Sequence, residues 1–503
     1  MEALNNLLLG FSVALAPVNL FWCFVGVLLG TVVGVLPGLG PAATIAMLLP
    51  LTFKMNPTTA IILLVGIFYG ARYGGSTTSI LLNVPGESSS VVTCLDGYQM
   101  ARKGRAGPAL GIAAISSCIA GTVGVLGLML VAPPIARFAL RFGPPEYFAL
   151  MAFGLTMVVF LAGKSMLKAL LALFVGLWLA TIGTDLFTAE SRFTFGQTEL
   201  LDGIDFIVVS IGVFAIAEVL VNLESKTGIE LFKVPKGIRN LLPNRQDLKD
   251  CRFAFMNGSV IGFVVGVLPG AGATIASFIS YGLEKAFSRH PEKFGTGVVE
   301  GVAAPEGANN ADAGGALVPL MTLGIPGGNT TAILLAGLLL WGYKPGPLLI
   351  QEHPELFWGL VASMYIGNIV LLILNLPLVP LFGQILRLPL YVLYPFIFGI
   401  SIVGVYSVSQ SIFDVWMLGV FGLLGYLMRK LDFPAAPLTL GLVLGDAMER
   451  ALRQSLMMSQ GQLSILISRP ISAVLLSLGA LVLLMPLMRK VRSWKVNVVE
   501  QEV

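Results

Sequence analysis

The seven-residue string Gly-Val-Leu-Pro-Gly-x-Gly occurs twice in this chain, at Gly34 to Gly40 and at Gly266 to Gly272. Each copy ends a long apolar stretch. Proline and glycine both stop helices, so a helix must break at the same place in two halves of the molecule. In an apolar chain, breaks at matched positions expose backbone groups where a solute or ion can meet them.

Composition sets the surroundings of those breaks. Of 503 residues, 56% are hydrophobic and only 12% are charged. Soluble domains carry roughly twice that charge, and apolar stretches of about 17–25 residues match the thickness of a bilayer. The reading is an all-α polytopic membrane protein with about 10–13 crossings. The net charge of +4 is spread over a few loops, which gives nucleic-acid binding little support. Cys23, Cys94, Cys118 and Cys251 form no close pair, so neither a zinc site nor a disulfide framework is expected. The N-terminus lacks the positive region of a secretory signal, and Leu7 to Ala16 reads as a retained interfacial lead-in.

Apolar spans lie near 18–36, 58–71, 109–132, 145–162, 166–183 and 205–222, then near 254–268, 308–324, 330–342, 356–382, 390–410, 412–428 and 467–487. Thr44 to Leu51, Thr77 to Val84, Thr274 to Leu283 and Leu438 to Leu444 are too short to cross alone. They read as re-entrant or broken helices. The polar stretch Glu224 to Arg252 joins the halves. Its Lys226, Lys233, Lys236, Arg239, Arg245, Lys249 and Arg252 assign it to the cytoplasmic side, as do Arg489, Lys490, Arg492 and Lys495 for the tail.

The repeat extends beyond the heptapeptide. Gly26, Gly30, Gly34 and Gly38 return as Gly258, Gly262, Gly266 and Gly270, an offset of 232 (258 − 26). Glycines four apart share one helix face and permit close packing. Thr44-Ile45-Ala46 returns as Thr274-Ile275-Ala276, Gly74-Gly75 as Gly314-Gly315, and Gly107-Pro108 as Gly346-Pro347. Asn83 to Ser90 stands opposite Gly324 to Thr331, each a Pro-Gly turn followed by three small polar residues. The expected organisation is a first repeat at 1–235, a second at 236–465, and a terminal helix with a basic tail at 466–503. Inverted halves are the favoured arrangement.

A broken helix leaves free N–H groups at one half-helix start and free carbonyls at another half-helix end, which attract anions and cations respectively. Gly34, Pro37, Gly38, Gly40 and Thr44, with Gly266, Pro269, Gly270, Gly272 and Thr274, set and break the helices. Asn83, Pro85, Gly86, Ser88, Ser89 and Ser90, with Pro326, Gly327, Asn329, Thr330 and Thr331, are the candidate solute contacts, since hydroxyls after a turn cap the next helix or bind a carboxylate. Arg72 has two readings, pairing with a substrate carboxylate or snorkelling to the interface. Asn309, Asn310 and Asp312 have two as well, oxygen ligands for a small coupling cation or a polar helix start.

Glu218 reads as an interfacial carboxylate, and His290 and His353 read as surface residues rather than proton relays. Ala162-Gly163-Lys164-Ser165 looks like the end of a phosphate-binding loop, but Val158 stands where its first glycine belongs. With no catalytic constellation in the sequence, an enzyme is not expected.

The repeated heptapeptide, the block from Tyr69 through Gly74-Gly75 to Glu87, and Gly324-Ile-Pro-Gly-Gly-Asn-Thr-Thr together resemble the large membrane subunit of the bacterial tripartite tricarboxylate transporters. The likeness covers essentially the whole chain. It implies a permease of the bacterial inner membrane that imports citrate or other organic carboxylates by sodium or proton symport, with no other cofactor. It also implies two partners, a small four-helix membrane subunit and a periplasmic solute-binding protein. A gated, channel-like facilitator for small anions is the alternative. A membrane enzyme or non-transporting receptor is a third reading, which lacks an intramembrane catalytic constellation.

Overall fold

Proline at the first helical position begins Pro17–Val35, Pro41–Leu48 and Pro57–Leu82, where its missing N–H costs nothing. The Asn56 side chain also accepts a hydrogen bond from the Thr58 N–H at the start of the third. The computed structural model describes residues 2–36, 40–161, 165–185, 187–224, 240–375, 377–378, 381 and 390–484. Pro37, Gly38, the candidate phosphate loop at 162–164, most of the inter-half linker and the basic tail lie outside them.

The described residues are overwhelmingly helical, with a single pair of two-residue antiparallel strands, Gly183–Thr184 and Ser191–Arg192. Among them, six helices are long and apolar enough to cross a membrane, including Pro57–Leu82, Ala106–Ala139 and Pro354–Asn375. Shorter apolar helices include Pro41–Thr52, Met166–Leu179, Arg252–Val267 and Asn329–Leu340. Outward faces are apolar, as at Trp416 and Phe174, the surface a lipid solvent requires.

The chain forms two compact units, one of Met1–Leu140 with Asp205–Leu431, the other of Arg141–Ile204 with the chain from Asp432. In the first, the glycine ladder is a packing seam. Gly26, Gly30 and Gly34 meet the backbone of Leu63, Ile67 and Ala71, so Pro17–Val35 and Pro57–Leu82 run parallel in close contact. Gly258, Gly262 and Gly266 meet Ala304, Ala308 and Asp312 in the same order, setting Arg252–Val267 against Glu300–Leu323. A methyl group at Gly34 would stand 2.8 Å from the Ala71 Cα, and one at Gly266 would stand 2.9 Å from the Asp312 Cα.

This seam fixes the register between the two long helices at 241 (312 − 71, 308 − 67, 304 − 63). Gly74 lies against Gly34 as Gly315 lies against Gly266, so Gly74 corresponds to Gly315 rather than to Gly314. Gly314 instead meets Gly124 on Ala106–Ala139. Between the halves the sense reverses. Arg72 contacts Asp312 while Ser76, one turn on, contacts Glu306, so Pro57–Leu82 and Glu300–Leu323 are antiparallel.

Two of the short apolar pieces are not separate helices. Thr77 to Val84 is mostly the last turns of Pro57–Leu82, because the run Gly74-Gly75-Ser76-Thr77-Thr78, a poor helix former in isolation, is wholly buried among neighbouring helices. Leu438 to Leu444 lies inside Ala435–Met458. The span near 205–222 is the helix Phe206–Leu223, widened by a π-type turn over Ile211–Ile216. At its end, Glu218 is nearly buried and pairs with Arg429, and Glu224 pairs with Lys430.

In the second unit, Met166–Leu179 packs on Ala435–Met458 through Gly176 and Gly441. Asp185, Arg192, Glu449 and Arg453 form one ion network around the strand pair, with Arg453 to Asp185 at 2.9 Å. Hydrogen bonding from the Phe187 N–H, then from Thr188 and Arg453, holds the Asp185 carboxyl below its usual range.

Candidate functional site

Both long central helices end in the left-handed conformation, at Asn83 (φ 58°) and Gly324 (φ 69°), residue types that tolerate it. A Pro-Gly pair follows two residues on in each case. Gly86 packs on Gly34, Gly75 and Thr78; a methyl group there would stand 2.7 Å from the Gly75 Cα. At Gly327 it would stand 3.0 Å from the Ala316 Cα, the position matching Gly75 in the 241 register.

The third small polar residue of each turn is a cap. Ser90 Oγ donates to the Glu87 carbonyl at 2.9 Å and accepts from the Glu87 N–H. Thr331 Oγ1 does the same with Gly328, at 2.9 Å in both directions. Ser89, buried, donates to the Glu87 carboxylate. Ser88 and Asn329 remain exposed at the front of the two turns, Thr330 is half-buried, and Asn83 is exposed at the first helix end.

The broken helices come to these turns. The Gly270 N–H donates to the Gly327 carbonyl at 2.9 Å, joining break and turn within the second half. Thr274 Oγ1 donates to Ser88 Oγ at 3.1 Å, joining the second half's break to the first half's turn. Helix Pro41–Leu48 correspondingly packs on Asn329–Leu340. Gly270 (φ 82°) and Gly272 (φ 65°) take the backbone through the second break. In the first, Gly40 is extended and Thr44 Oγ1 bonds back to its carbonyl at 3.2 Å.

Arg72 is buried behind the turns. Its guanidinium bonds Asp312 Oδ2 at 2.8 Å, the Asn309 carbonyl, and Asn309 Oδ1 at 3.2 Å, and it lies 4.4 Å over the Phe68 ring. Asn310 faces elsewhere: its amide donates to Ser117 Oγ at 2.8 Å and to the Glu306 carbonyl at 3.0 Å. The residues read as a solute contact and as a cation cradle are therefore bonded to one another across the halves at Arg72, Asn309 and Asp312.

Among the buried acids that sequence reasoning missed are Asp96 and Glu306. Asp96 accepts from the N–H groups of Gly295, Gly297 and Val298 and from the Tyr281 hydroxyl at 2.9 Å, pinning Thr93–Arg102 to the loop before Glu300–Leu323. Glu306 is fully enclosed, one oxygen accepting from the Thr93 hydroxyl. It escaped notice because it lies just before the apolar stretch at 308–324; its place after Pro305, inside a span of small residues, is the signal that could have revealed it. His290 is exposed and His353 partly so, and all four cysteines are free.

The family described as "Tripartite tricarboxylate transporter TctA family" matches residues 20–440. A protein of Agrobacterium vitis, "Uncharacterized 52.8 kDa protein in TAR-I ttuC' 3'region", is 49% identical over 502 residues and 100% of both chains. Another from the same organism, "Uncharacterized protein in TAR-II ttuC' 3'region", is 44% identical over 232 residues, 46% of this chain and 96% of its own length. No solved structure matches the chain.

Proposed function

The chain belongs to the tripartite tricarboxylate transporter TctA family, and from that premise we propose that it is the permease of a gradient-driven importer of organic carboxylates. It resides in the bacterial inner membrane and works with a small membrane subunit and a periplasmic solute-binding protein. Its two halves are inverted repeats, a reading supported by the shared glycine seam and the antiparallel course of the long helices. The solute carboxylate is held between the paired turns, by Ser88, Asn329 and Thr330 and by the free N–H groups of nearby helix starts.

The observation that carries this reading is the Thr274–Ser88 hydrogen bond, which brings a broken helix of one half to the Pro-Gly turn of the other. Pro85, Pro326, Gly86 and Gly327 shape the turns, while Ser90 and Thr331 hold them as caps. Arg72 bolts the halves together rather than meeting solute in this conformation, because its charge is already met by Asp312. Asn309 and Asp312 are likewise engaged by Arg72 in this conformation, while Asn310 bonds Ser117 and the Glu306 carbonyl, so the three do not present one shared set of free oxygens here.

The test is uptake into proteoliposomes holding this chain with both partner subunits, using citrate, tartrate, malate and succinate as probes. Accumulation of one of these above equilibrium under a sodium or proton gradient is expected. Uptake that stops at equilibrium would favour the gated facilitator, and uptake of none would overturn the reading.

A further inference from the structure

Two acids on Glu300–Leu323 are buried to the same degree and compensated very differently. Asp312 has Arg72. Among the described residues Glu306 meets no cation: one oxygen accepts from Thr93, and the other has no donor in good hydrogen-bond geometry, the Ser76 and Asn309 side chains lying beside the carboxyl. Around it stand Ser76 from Pro57–Leu82, Asn309 from its own helix, and Thr93 and Cys94 from Thr93–Arg102. Ser116 and Ala120 of Ala106–Ala139 line the adjacent Gly307. The ionisable groups that face it are Glu87, a second carboxylate, and the Cys94 thiol; Asp312 lies further along its own helix, paired with Arg72 of Pro57–Leu82.

Such an enclosure disfavours an unpaired carboxylate, whereas the neutral acid fits it. We propose that Glu306 binds and releases the coupling proton of the transport cycle. This rests on the transport reading above and deepens it.

The link to solute runs through Glu87. That residue is half-buried, holds the Ser89 hydroxyl, and sits in the same turn as Ser88. A solute carboxylate arriving at Ser88 adds negative charge beside Glu87, which itself faces Glu306, and like charge favours the protonated acid. Solute binding thus tightens proton binding, and by reciprocity the proton tightens solute binding. The proton, taken from water on the side from which solute enters, forms an O–H on the Glu306 oxygen that does not accept from Thr93, and the same bond breaks to return it to water on the side where solute leaves.

The first arm of the test needs no substrate. Infrared spectra of the purified chain in nanodiscs at pH 7 are expected to show a carboxylic-acid C=O band that is lost in Glu306→Gln and that fades as the wild type is made alkaline. Identical carboxylic-acid bands in wild type and Glu306→Gln at pH 7 would overturn the proposal.

The second arm traps a pH dye inside proteoliposomes holding all three subunits, with the same four acids as probes. Uptake by the wild type should acidify the lumen. Glu306→Gln should lose both the acidification and the response to a pH gradient, while Glu300→Gln, a half-buried acid at the start of the same helix, should keep both. Solute-coupled acidification persisting in Glu306→Gln, or uptake driven by sodium with no proton movement, would contradict the proposal. Uptake of none of the four acids by the wild type would overturn the transport reading, and the coupling role with it, even if the infrared band is present.

Discussion

Helices Pro57–Leu82 and Glu300–Leu323 occupy matching places in the two halves. Each lies along a glycine ladder, each ends in a left-handed residue, and each leads into a Pro-Gly turn capped by a small hydroxyl side chain. Their polar cargo differs. The first carries Arg72; the second carries Glu306, Asn309, Asn310 and Asp312. Backbone packing tolerates little change, because a single methyl group at a seam glycine overlaps a neighbouring main chain. Buried charge demands a partner but not a particular half to supply it, so the two helices differ in chemistry while sharing one packing pattern.

The strongest way to break the comparison is to remove one side of its charged contact. Arg72→Met or Asp312→Leu alone should destabilise the protein by about 3–5 kcal/mol, by stranding a buried charge. The double variant Arg72→Met with Asp312→Leu should recover most of that loss. Thermal unfolding of the four proteins in detergent forms a double-mutant cycle; additive losses would show that the two charges do not meet.

Next, the seam should be equally intolerant in both halves. Gly34→Val and Gly266→Val should each cost about 1–3 kcal/mol or more through overpacking. A variant of either with wild-type yield and unfolding temperature would dissolve the shared frame. Smaller still, Ser90→Ala and Thr331→Ala should each cost about 1 kcal/mol as lost caps, and by similar amounts if the turns are equivalent.

The smallest effect is a control outside the paired helices. Because the Asp185 carboxyl is held below its usual range in the folded protein, its stabilising contribution is present above about pH 4, the ordinary carboxylate value. It is lost as pH falls through the lowered folded value. Hydrogen exchange should show that acidification loosens the strand pair before the glycine seam; simultaneous loosening would contradict it.

The seam was legible because a ladder of glycines four residues apart is a local pattern, and so was the Pro-Gly break. The length of Pro57–Leu82 was not, since its Gly-Ser-Thr run reads as an interruption until neighbouring helices bury it. The partner of Arg72 was also invisible: Asp312 lies 240 residues away (312 − 72), and only the antiparallel course of the two helices brings them together. Glu306 and Asp96 were hidden for a related reason, because an acid at a helix margin looks solvated until the opposite half closes over it. Among the turn residues, sequence gave small polar side chains but could not divide the caps Ser90 and Thr331 from the exposed Ser88 and Asn329.

In the proposed mechanism the two Pro-Gly turns form one solute site. That claim is tested most directly by gradient-driven carboxylate uptake in three-subunit proteoliposomes carrying Gly86→Val or Gly327→Val, with membrane insertion of each variant verified. Both variants should insert and both should lose uptake, since either side chain displaces its own turn from the shared site. Uptake at the wild-type rate by both would contradict the claim.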